Sequence, residues 1–116
     1  MKRRFRLTGS TDFQRVRRSG KSTAHPLIVL IALPNQAENS RFGIVAGRAI
    51  GNALQRNRAK RHLREALRPL LPMIAPGWDV LLLARAPIVA AAFPELQQAL
   101  RQLLQRAHLF APSHEE

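Results

Sequence analysis

The stretch GNALQRNRAKRHLREALR, residues 51–68, predicts the best-defined helix of this chain. Its apolar residues recur at the spacing of one helix face, which indicates a helix that packs on a core. They are Ala59, Leu63, Ala66 and Leu67, continued by Leu70. We expect the helix to cover residues 52–70, because Pro69 and Pro72 bring it to an end.

The side of this helix opposite the apolar stripe carries almost only basic and amide side chains. They are Lys60, Arg64, Asn57, Arg68 and Arg61, with Arg58 at the edge and Glu65 as the one acid. An ordinary solvated helix alternates its charges, whereas stacked like charges repel unless phosphates replace the counterions. The pattern therefore favours contact with RNA or DNA, and a solvated face is the alternative. The Asn57 amide could cap or pack, bond a sugar hydroxyl or read a base edge.

The charge of the whole chain points in the same direction. Nineteen Lys and Arg oppose seven Asp and Glu in 116 residues, which gives a formal net charge of +12. Sixteen of the nineteen are Arg, whose planar guanidinium binds phosphate with two hydrogen bonds and stacks on bases. Because so basic a compact fold repels itself, a polyanionic partner is expected. Nucleic acid is the first candidate, ahead of a membrane surface.

The remaining segments predict a small α+β domain of the order α-β-β-α-β-α, in which helices cover one side of a sheet. Strands are expected at residues 26–33 and 41–46, paired with each other as a hairpin. The apolar run at residues 78–84 predicts a strand that is buried on both faces. Pro94 suits the first turn of a last helix that extends to about residue 108.

A first, short helix is expected over residues 8–18. Ser10 or Thr11 would cap its N-terminus, and Gly20 would end it. Neither an internal repeat nor a linker divides the sequence. We therefore expect one RNA-binding domain over residues 1–116, with a flexible basic arm at residues 1–6 and a flexible tail at residues 109–116.

Several classes of site are disfavoured by the composition. The chain has no Cys, which excludes disulfides and Cys-based zinc sites. The four histidines, His25, His62, His108 and His114, lack ligand spacing, and Asp79 is expected to act as a cap or turn residue. No signal peptide is visible, and the apolar runs are too short to span a bilayer. We expect a soluble cytoplasmic protein with no catalytic or metal-binding residues of its own.

Three ring-bearing residues have a structural and a functional interpretation. Phe13 is either a core residue of the first helix or a platform for a nucleic-acid base. Trp78 is expected to pack in the core or at a strand edge, and His62 is expected to pack beside the apolar stripe.

Residues 56–65, RNRAKRHLRE, resemble the signature of the bacterial ribonuclease P protein subunit, and residues 50–54 match the segment that precedes it. The resemblance continues outside this block, over roughly residues 7–104. Residues 12–16 are similar to the family's first helix, residues 41–45 to its second strand, and residues 77–85 to the strand after its long helix. Arg85 matches a recurrent Arg after that strand.

The resemblance implies a fold, a function and partners. The fold would be an α-β-β-β-α-β-α sandwich, ribosomal-protein-like, around a mixed sheet with a left-handed crossover. Its extra strand would come from dividing residues 21–33 or 41–48. The protein would assist a catalytic RNA subunit in removing the 5′ leader from precursor tRNA, with Mg²⁺ held mainly by the RNA. Neither a membrane nor an obligate protein partner is implied.

Carried over residue by residue, the motif assigns contacts with the RNA subunit to one set of side chains: Arg56, Asn57, Arg58, Lys60, Arg61, Arg64 and, beyond the motif, Arg68. A second set is expected to bind the leader: Phe13, Arg17, Leu27, Val29 and Arg48. Arg17 stands where the family commonly has a second aromatic, and Arg48-Ala49 where it often has two lysines. The strand at residues 26–33 has no Tyr or Phe, so we expect phosphate contacts to outweigh base stacking in leader binding.

Two other functions stay open from the sequence. A structural RNA-binding protein of ribosomal type has the same composition, and only the motif favours a processing role over it. A cationic membrane-surface protein would need an aromatic-bearing amphipathic helix, and the basic helix contains neither Trp nor Phe.

Overall fold

Residues 3–112, which the computed structural model describes, form three α-helices and a four-stranded sheet. The helices are α1 (Ser10–Ser19), α2 (Ala53–Leu67) and α3 (Phe93–Arg106). The strands are β1 (Lys21–Ala24), β2 (Ile28–Pro34), β3 (Arg41–Val45) and β4 (Trp78–Ala84). Short 3₁₀ turns cover Arg3–Phe5, Arg48–Ile50, Arg68–Met73 and Ala86–Ala90. The order α-β-β-β-α-β-α confirms the one that the resemblance implies, and the extra strand comes from the division of residues 21–33.

The sheet has the strand order β1-β2-β4-β3. Strand β4 pairs antiparallel with β2 and parallel with β3. The predicted hairpin between β2 and β3 is therefore wrong, because β4 lies between them. Residues Val80 to Leu82 of β4 are fully buried, and a strand that is apolar on both faces is most stable at the centre of the sheet. Since β3 and β4 are parallel neighbours, α2 forms the connection between them.

Helices cover both faces of the sheet, so the expectation that they cover one side is wrong. Alternate residues of β4 point to opposite faces: Val80 and Leu82 pack with α2 and α3 in the main core, whereas Leu81 packs with Val16 of α1. The uninterrupted apolar run at positions 80–83 indicates that both faces of the sheet are covered, because a strand with one exposed face would alternate apolar with polar residues.

The start of α2 is fixed by a capping box. The Asn52 side chain accepts a hydrogen bond from the Gln55 backbone N–H at 2.9 Å, and Gln55 Oε1 accepts one from the Asn52 N–H at 3.0 Å. Gly51 has φ of 135°, and a Cβ there would collide with the Gln55 side chain. The predicted start at Asn52 is confirmed. The α-helix ends at Leu67, and residues 68–73 tighten into a 3₁₀ turn that contains Pro69 and Pro72.

Helix α1 begins without the predicted side-chain cap. Its N-cap residue is Gly9, with φ of 91°, and no side chain of the described chain forms a cap hydrogen bond there. The predicted cap by Ser10 or Thr11 is wrong, because the chain enters the helix through a glycine conformation and Ser10 is already helical. The predicted end is confirmed: Gly20 donates its N–H to the Val16 carbonyl at 2.8 Å.

Both predicted flexible ends are partly docked. Arg6, in the predicted arm, forms a β-bridge with Phe42, and the next residue, Leu7, is buried and donates its N–H to the Phe42 carbonyl at 2.8 Å. Residues 1–2 of the arm and 113–116 of the tail lie outside the described residues. The prediction of a flexible tail from residue 109 is wrong at its start: Leu109 is fully buried and Phe110 bridges to Ile74. Both are apolar side chains that reach the main core, which explains their docking.

Candidate nucleic-acid interface

The basic side chains of α2 are held outward by the apolar residues beneath them. Leu63 and Leu67 are fully buried and fix the helix on the main core. Of the seven predicted RNA-subunit contacts, five are exposed: Asn57, Arg58, Arg61, Arg64 and Arg68. Arg56 and Lys60 are half-buried at the sides of the apolar stripe.

Five of these residues divide between two flanks and an outer face of the helix. Lys60 lines a groove towards α1, and Arg64 lines a neighbouring groove along β3. Arg58 lies on the other flank, in a groove of about 210 Å³ shared with His62 and Val89. At 3.6 residues per turn, Arg61 and Arg68 point outward between the flanks. The predicted single basic arc is thus divided, and its members reach partners in different directions.

The acid in this set forms a weak ion pair. Arg61 Nε lies 3.8 Å from Glu65 Oε1, with 65% and 47% of the two side chains exposed. Pairs of this kind contribute about 0.3–0.5 kcal/mol on a helix surface. Arg61 therefore remains free to exchange Glu65 for a phosphate.

The groove between α1 and α2 brings together residues from distant parts of the sequence. It holds about 330 Å³ and is lined by Ser10, Phe13, Gln14, Arg17, Ile44, Val45, Ala46 and Lys60. We call it the α1–α2 groove. Its floor is apolar, from β3 and the Phe13 ring, and cations stand on both sides. Two predicted leader contacts, Phe13 and Arg17, thus lie beside the predicted RNA-subunit contact Lys60.

The other three predicted leader contacts are placed differently. Val29 is half-buried on the sheet face that α1 covers, in register with Leu83. Leu27 is only 9% exposed and belongs to the main core on the opposite face. Arg48 is exposed in the turn after β3, outside the lining of the α1–α2 groove. The structure therefore brings Phe13 and Arg17 together, places Val29 on their side of the sheet, and separates Leu27 from them.

Phe13 packs on the sheet and also lines the α1–α2 groove. A Cβ on Gly43 would lie 2.8 Å from Phe13 Cζ, so the ring rests directly on the β3 backbone. The same ring is half-buried and lines the α1–α2 groove. It is a packing residue on one side and a groove wall on the other.

Asp79 is the centre of a buried ionic cluster that sequence reasoning missed. It is 0% exposed and accepts four hydrogen bonds: from Arg41 Nε at 2.9 Å, Arg41 Nη2 at 2.8 Å, Arg15 Nη2 at 2.5 Å and Asn35 Nδ2 at 2.7 Å. Burial alone would raise the pKa of Asp79, but these hydrogen bonds outweigh it and hold the pKa below its usual range. The expected cap or turn role is wrong. The partners lie 38 to 64 residues away in the sequence, and no local pattern joins them.

Two ring residues pack as expected. Trp78 is half-buried against the main core. The His62 ring meets the Phe93 ring edge-on, with 5.9 Å between their centroids. Arg85, after β4, donates from Nη1 to the His25 carbonyl at 3.3 Å.

Neither a metal site nor a membrane span is built by the described part of the chain. Between residues 3 and 112, no three His, Asp or Glu side chains come close enough together to hold a metal ion. None of the helices in that range is both long and apolar enough to cross a bilayer.

A mixed β-sheet that carries a strongly cationic helix beside a half-apolar groove is typical of an RNA-binding protein. The family model described as Ribonuclease P matches residues 1–108. The chain is 44% identical over 120 residues to the ribonuclease P protein component of Herpetosiphon aurantiacus, covering 100% of this chain and 98% of that protein. The chain belongs to the ribonuclease P protein family.

Solved structures agree with this assignment. The Staphylococcus aureus RNase P protein superposes with a TM-score of 0.85 at 30% identity, covering 92% of this chain and 98% of that one. The Thermotoga maritima RNase P protein gives a TM-score of 0.79 at 31% identity, covering 87% of this chain and 96% of that one. As a member of this family, the chain is the protein subunit of ribonuclease P, which assists the RNA subunit in tRNA 5′ processing.

Proposed function

We propose that this subunit binds the 5′ leader of precursor tRNA in the α1–α2 groove while the outer face of α2 contacts the catalytic RNA. The observation that carries the proposal is the position of Lys60. It belongs to the RNA-binding motif of α2 and also lines the groove that Phe13 and Arg17 form on α1. One continuous surface then holds the leader and the RNA subunit side by side.

The chemistry of the groove suits a single strand. Its apolar floor, with Ile44, Val45 and the Phe13 ring, offers surface to unstacked bases. Arg17 and Lys60 stand at its sides, where a phosphate backbone would run. Phe13 is the one aromatic residue in its lining, so phosphate contacts dominate and the leader is held with little preference for sequence.

The outer face of α2 suits a folded RNA. Exposed guanidinium groups bind phosphate oxygens bidentately, and the Asn57 amide has both a donor and an acceptor for a ribose hydroxyl. Each phosphate contact releases a counterion, which makes the affinity strongly dependent on salt. Arg61 and Arg68 stand on this face, and Arg56, Arg58, Lys60 and Arg64 would contact the same RNA from the sides of the helix.

The hydrolysis itself is assigned to the RNA subunit, with Mg²⁺ as its cofactor. Among the described residues, no group of three His, Asp or Glu side chains is placed to hold a metal ion, so we route no metal chemistry through this chain. This chain would instead orient the leader at the cleavage site and offset the repulsion between two RNA backbones, which also favours metal binding nearby. We place this work in the cytoplasm, where precursor tRNA is made.

A cleavage assay with the catalytic RNA at physiological magnesium tests the proposal. Holoenzyme with wild-type protein should cleave precursor tRNA faster than the RNA alone, and should bind leader-bearing tRNA more tightly than leaderless tRNA. Arg17→Ala should reduce that leader preference about tenfold, the effect expected from one lost charge-assisted phosphate contact. Arg101→Ala, an exposed arginine of α3 that does not line the α1–α2 groove, is the matched control.

The same assay tests the placement of the leader. Tight, salt-dependent RNA binding without any preference for leader-bearing tRNA would contradict the proposed use of the groove.

A further inference from the structure

Helix α1 presents two flanks with different partners. On one flank, Phe13 and Arg17 line the α1–α2 groove. On the other, Arg15 reaches the buried carboxylate of Asp79, with Nη2 2.5 Å from Oδ2, and also lies 3.4 Å from Asp12. Residues 15 and 17 are 200° apart on a helix and so lie on opposite sides of α1. A rotation of α1 about its axis that moves Arg15 away from the sheet therefore also changes the direction in which Arg17 points.

Two apolar side chains of α1 contact the sheet, Val16 and Phe13, and they leave the helix able to roll. Within the described chain, Val16 is the one fully buried side chain of α1; it packs with Leu7, Ile31 and Leu81 near the middle of the helix, where it can serve as a pivot. The half-buried Phe13 ring packs on the same cluster and against Gly43 of β3, so its position over β3 changes when the helix rolls. The N-terminus of α1 has no side-chain cap among the described residues to hold it.

We propose that Arg15 is a positioning residue for leader binding: its ion pair with Asp79 sets the rotation of α1 and thereby the direction in which Phe13 and Arg17 face the α1–α2 groove. This inference rests on the proposed function of that groove.

Asp79 suits this role because it is itself immobile. It lies on the central strand, in register with Arg41 of β3, whose guanidinium binds it with two hydrogen bonds. Asn35, after β2, supplies a further hydrogen bond at 2.7 Å. The carboxylate thus remains satisfied when Arg15 is removed, so loss of Arg15 releases α1 without leaving a buried unpaired charge.

The test compares Arg15→Ala with Arg18→Ala. Both remove one arginine from α1, and Arg18 is exposed without an ion pair among the described residues. In reconstituted holoenzyme, Arg15→Ala should reduce the affinity ratio between leader-bearing and leaderless tRNA about tenfold, as for a lost direct contact. Affinity for leaderless tRNA and for the RNA subunit should stay unchanged. Arg18→Ala should leave the ratio within about twofold.

Arg15→Lys provides a rescue, because its ammonium can still reach Asp79, and the ratio should recover most of its wild-type value. NMR supplies a readout that does not depend on function: the cross-relaxation between the Phe13 ring and Gly43 should weaken in Arg15→Ala and persist in Arg18→Ala.

Each failure has its own signature. A wild-type holoenzyme without leader preference would overturn the proposed function of the groove. A wild-type preference that Arg15→Ala retains, or that Arg18→Ala loses equally, would overturn the positioning role alone. Unchanged contacts between Phe13 and Gly43 in Arg15→Ala would also overturn it.

Discussion

Arg41 and Asp79 face each other across the parallel strands β3 and β4, joined by two hydrogen bonds of 2.9 and 2.8 Å. The pair links the edge strand to the central one at the end of the sheet where α1 is anchored. The hydrogen bond to Asp79 raises the pKa of Arg41 above its usual value, so the guanidinium stays charged over the whole accessible range.

Because the pKa of Asp79 is depressed in the folded state, the free energy of unfolding should decrease at acidic pH. Since the folded-state pKa is depressed, the stabilisation is complete above the ordinary aspartate value of about 4 and is lost as pH falls below it. Asp79→Asn should lower the free energy of unfolding at pH 7 by about 3 kcal/mol, because it leaves two arginines without their carboxylate. Urea unfolding, followed by the fluorescence of Trp78, should show this difference shrinking as pH falls below about 4. A difference that stays constant as pH falls would contradict the assignment.

Gly43 allows α1 to approach β3 closely. In Gly43→Ala the new Cβ would lie 2.8 Å from Phe13 Cζ and 2.9 Å from Leu81 Cδ2, so the ring must move. We expect a loss of about 1–3 kcal/mol in stability and a weaker preference for leader-bearing tRNA. Gly47→Ala is the control, because a Cβ there meets nothing within 4 Å. Equal losses of stability and of leader preference in Gly43→Ala and Gly47→Ala would show that the contact between Phe13 and Gly43 matters for neither.

Arg61 should account for about one phosphate contact with the RNA subunit. Arg61→Ala should make the plot of log affinity against log salt shallower by about one contact, with little change in protein stability. An unchanged slope would identify Arg61 as solvated surface.

Glu65 should oppose RNA binding. It holds Arg61 at 3.8 Å and repels approaching phosphates. Glu65→Gln should therefore strengthen RNA binding at low salt by a few-fold, an advantage that disappears as salt screens the charge. Weaker binding would imply that Glu65 orients Arg61 for its contact.

Substitutions of Asn52 and Asn57 should have different effects, the first on the stability of the protein and the second on its binding to RNA. Asn52→Ala should cost about 1 kcal/mol in unfolding free energy, because it breaks the capping box. Asn57→Ala should leave stability nearly unchanged, since the residue is exposed, and should weaken binding to the RNA subunit. Loss of stability in Asn57→Ala would favour the packing role that the sequence left open.

The sequence predicts those features that depend on neighbours along the chain. The apolar stripe of α2, its start at Asn52 and the burial of β4 all follow from local patterns. The pairing of β3 with β4 does not, because strands of similar composition can pair in several orders and the tertiary arrangement chooses among them. The same limit applies to the ends of the chain, where Leu109 docks through contacts with distant residues.

In the candidate site, too, some features follow from the local sequence and others depend on tertiary contacts. The motif identifies the basic residues of α2, but the direction in which each points depends on what α2 packs against. Leu27 and Val29 are two residues apart in sequence, yet Leu27 enters the main core while Val29 stays on the α1 side. The hydrogen bonds around Asp79 join residues 38 to 64 positions apart, and one sequence gives no signal of such pairs.

The connection of β3 to β4 through α2 couples assembly to folding. The paired residues Arg41 and Asp79 are 38 positions apart, and the basic helix lies within the loop that they close. Closing that loop costs entropy, and repulsion among the arginines of α2 adds to the barrier. A bound RNA removes the repulsion and stabilises the native state by mass action. We therefore expect the RNA to act as a folding ligand, so that the subunit is least stable before it joins its ribonucleoprotein.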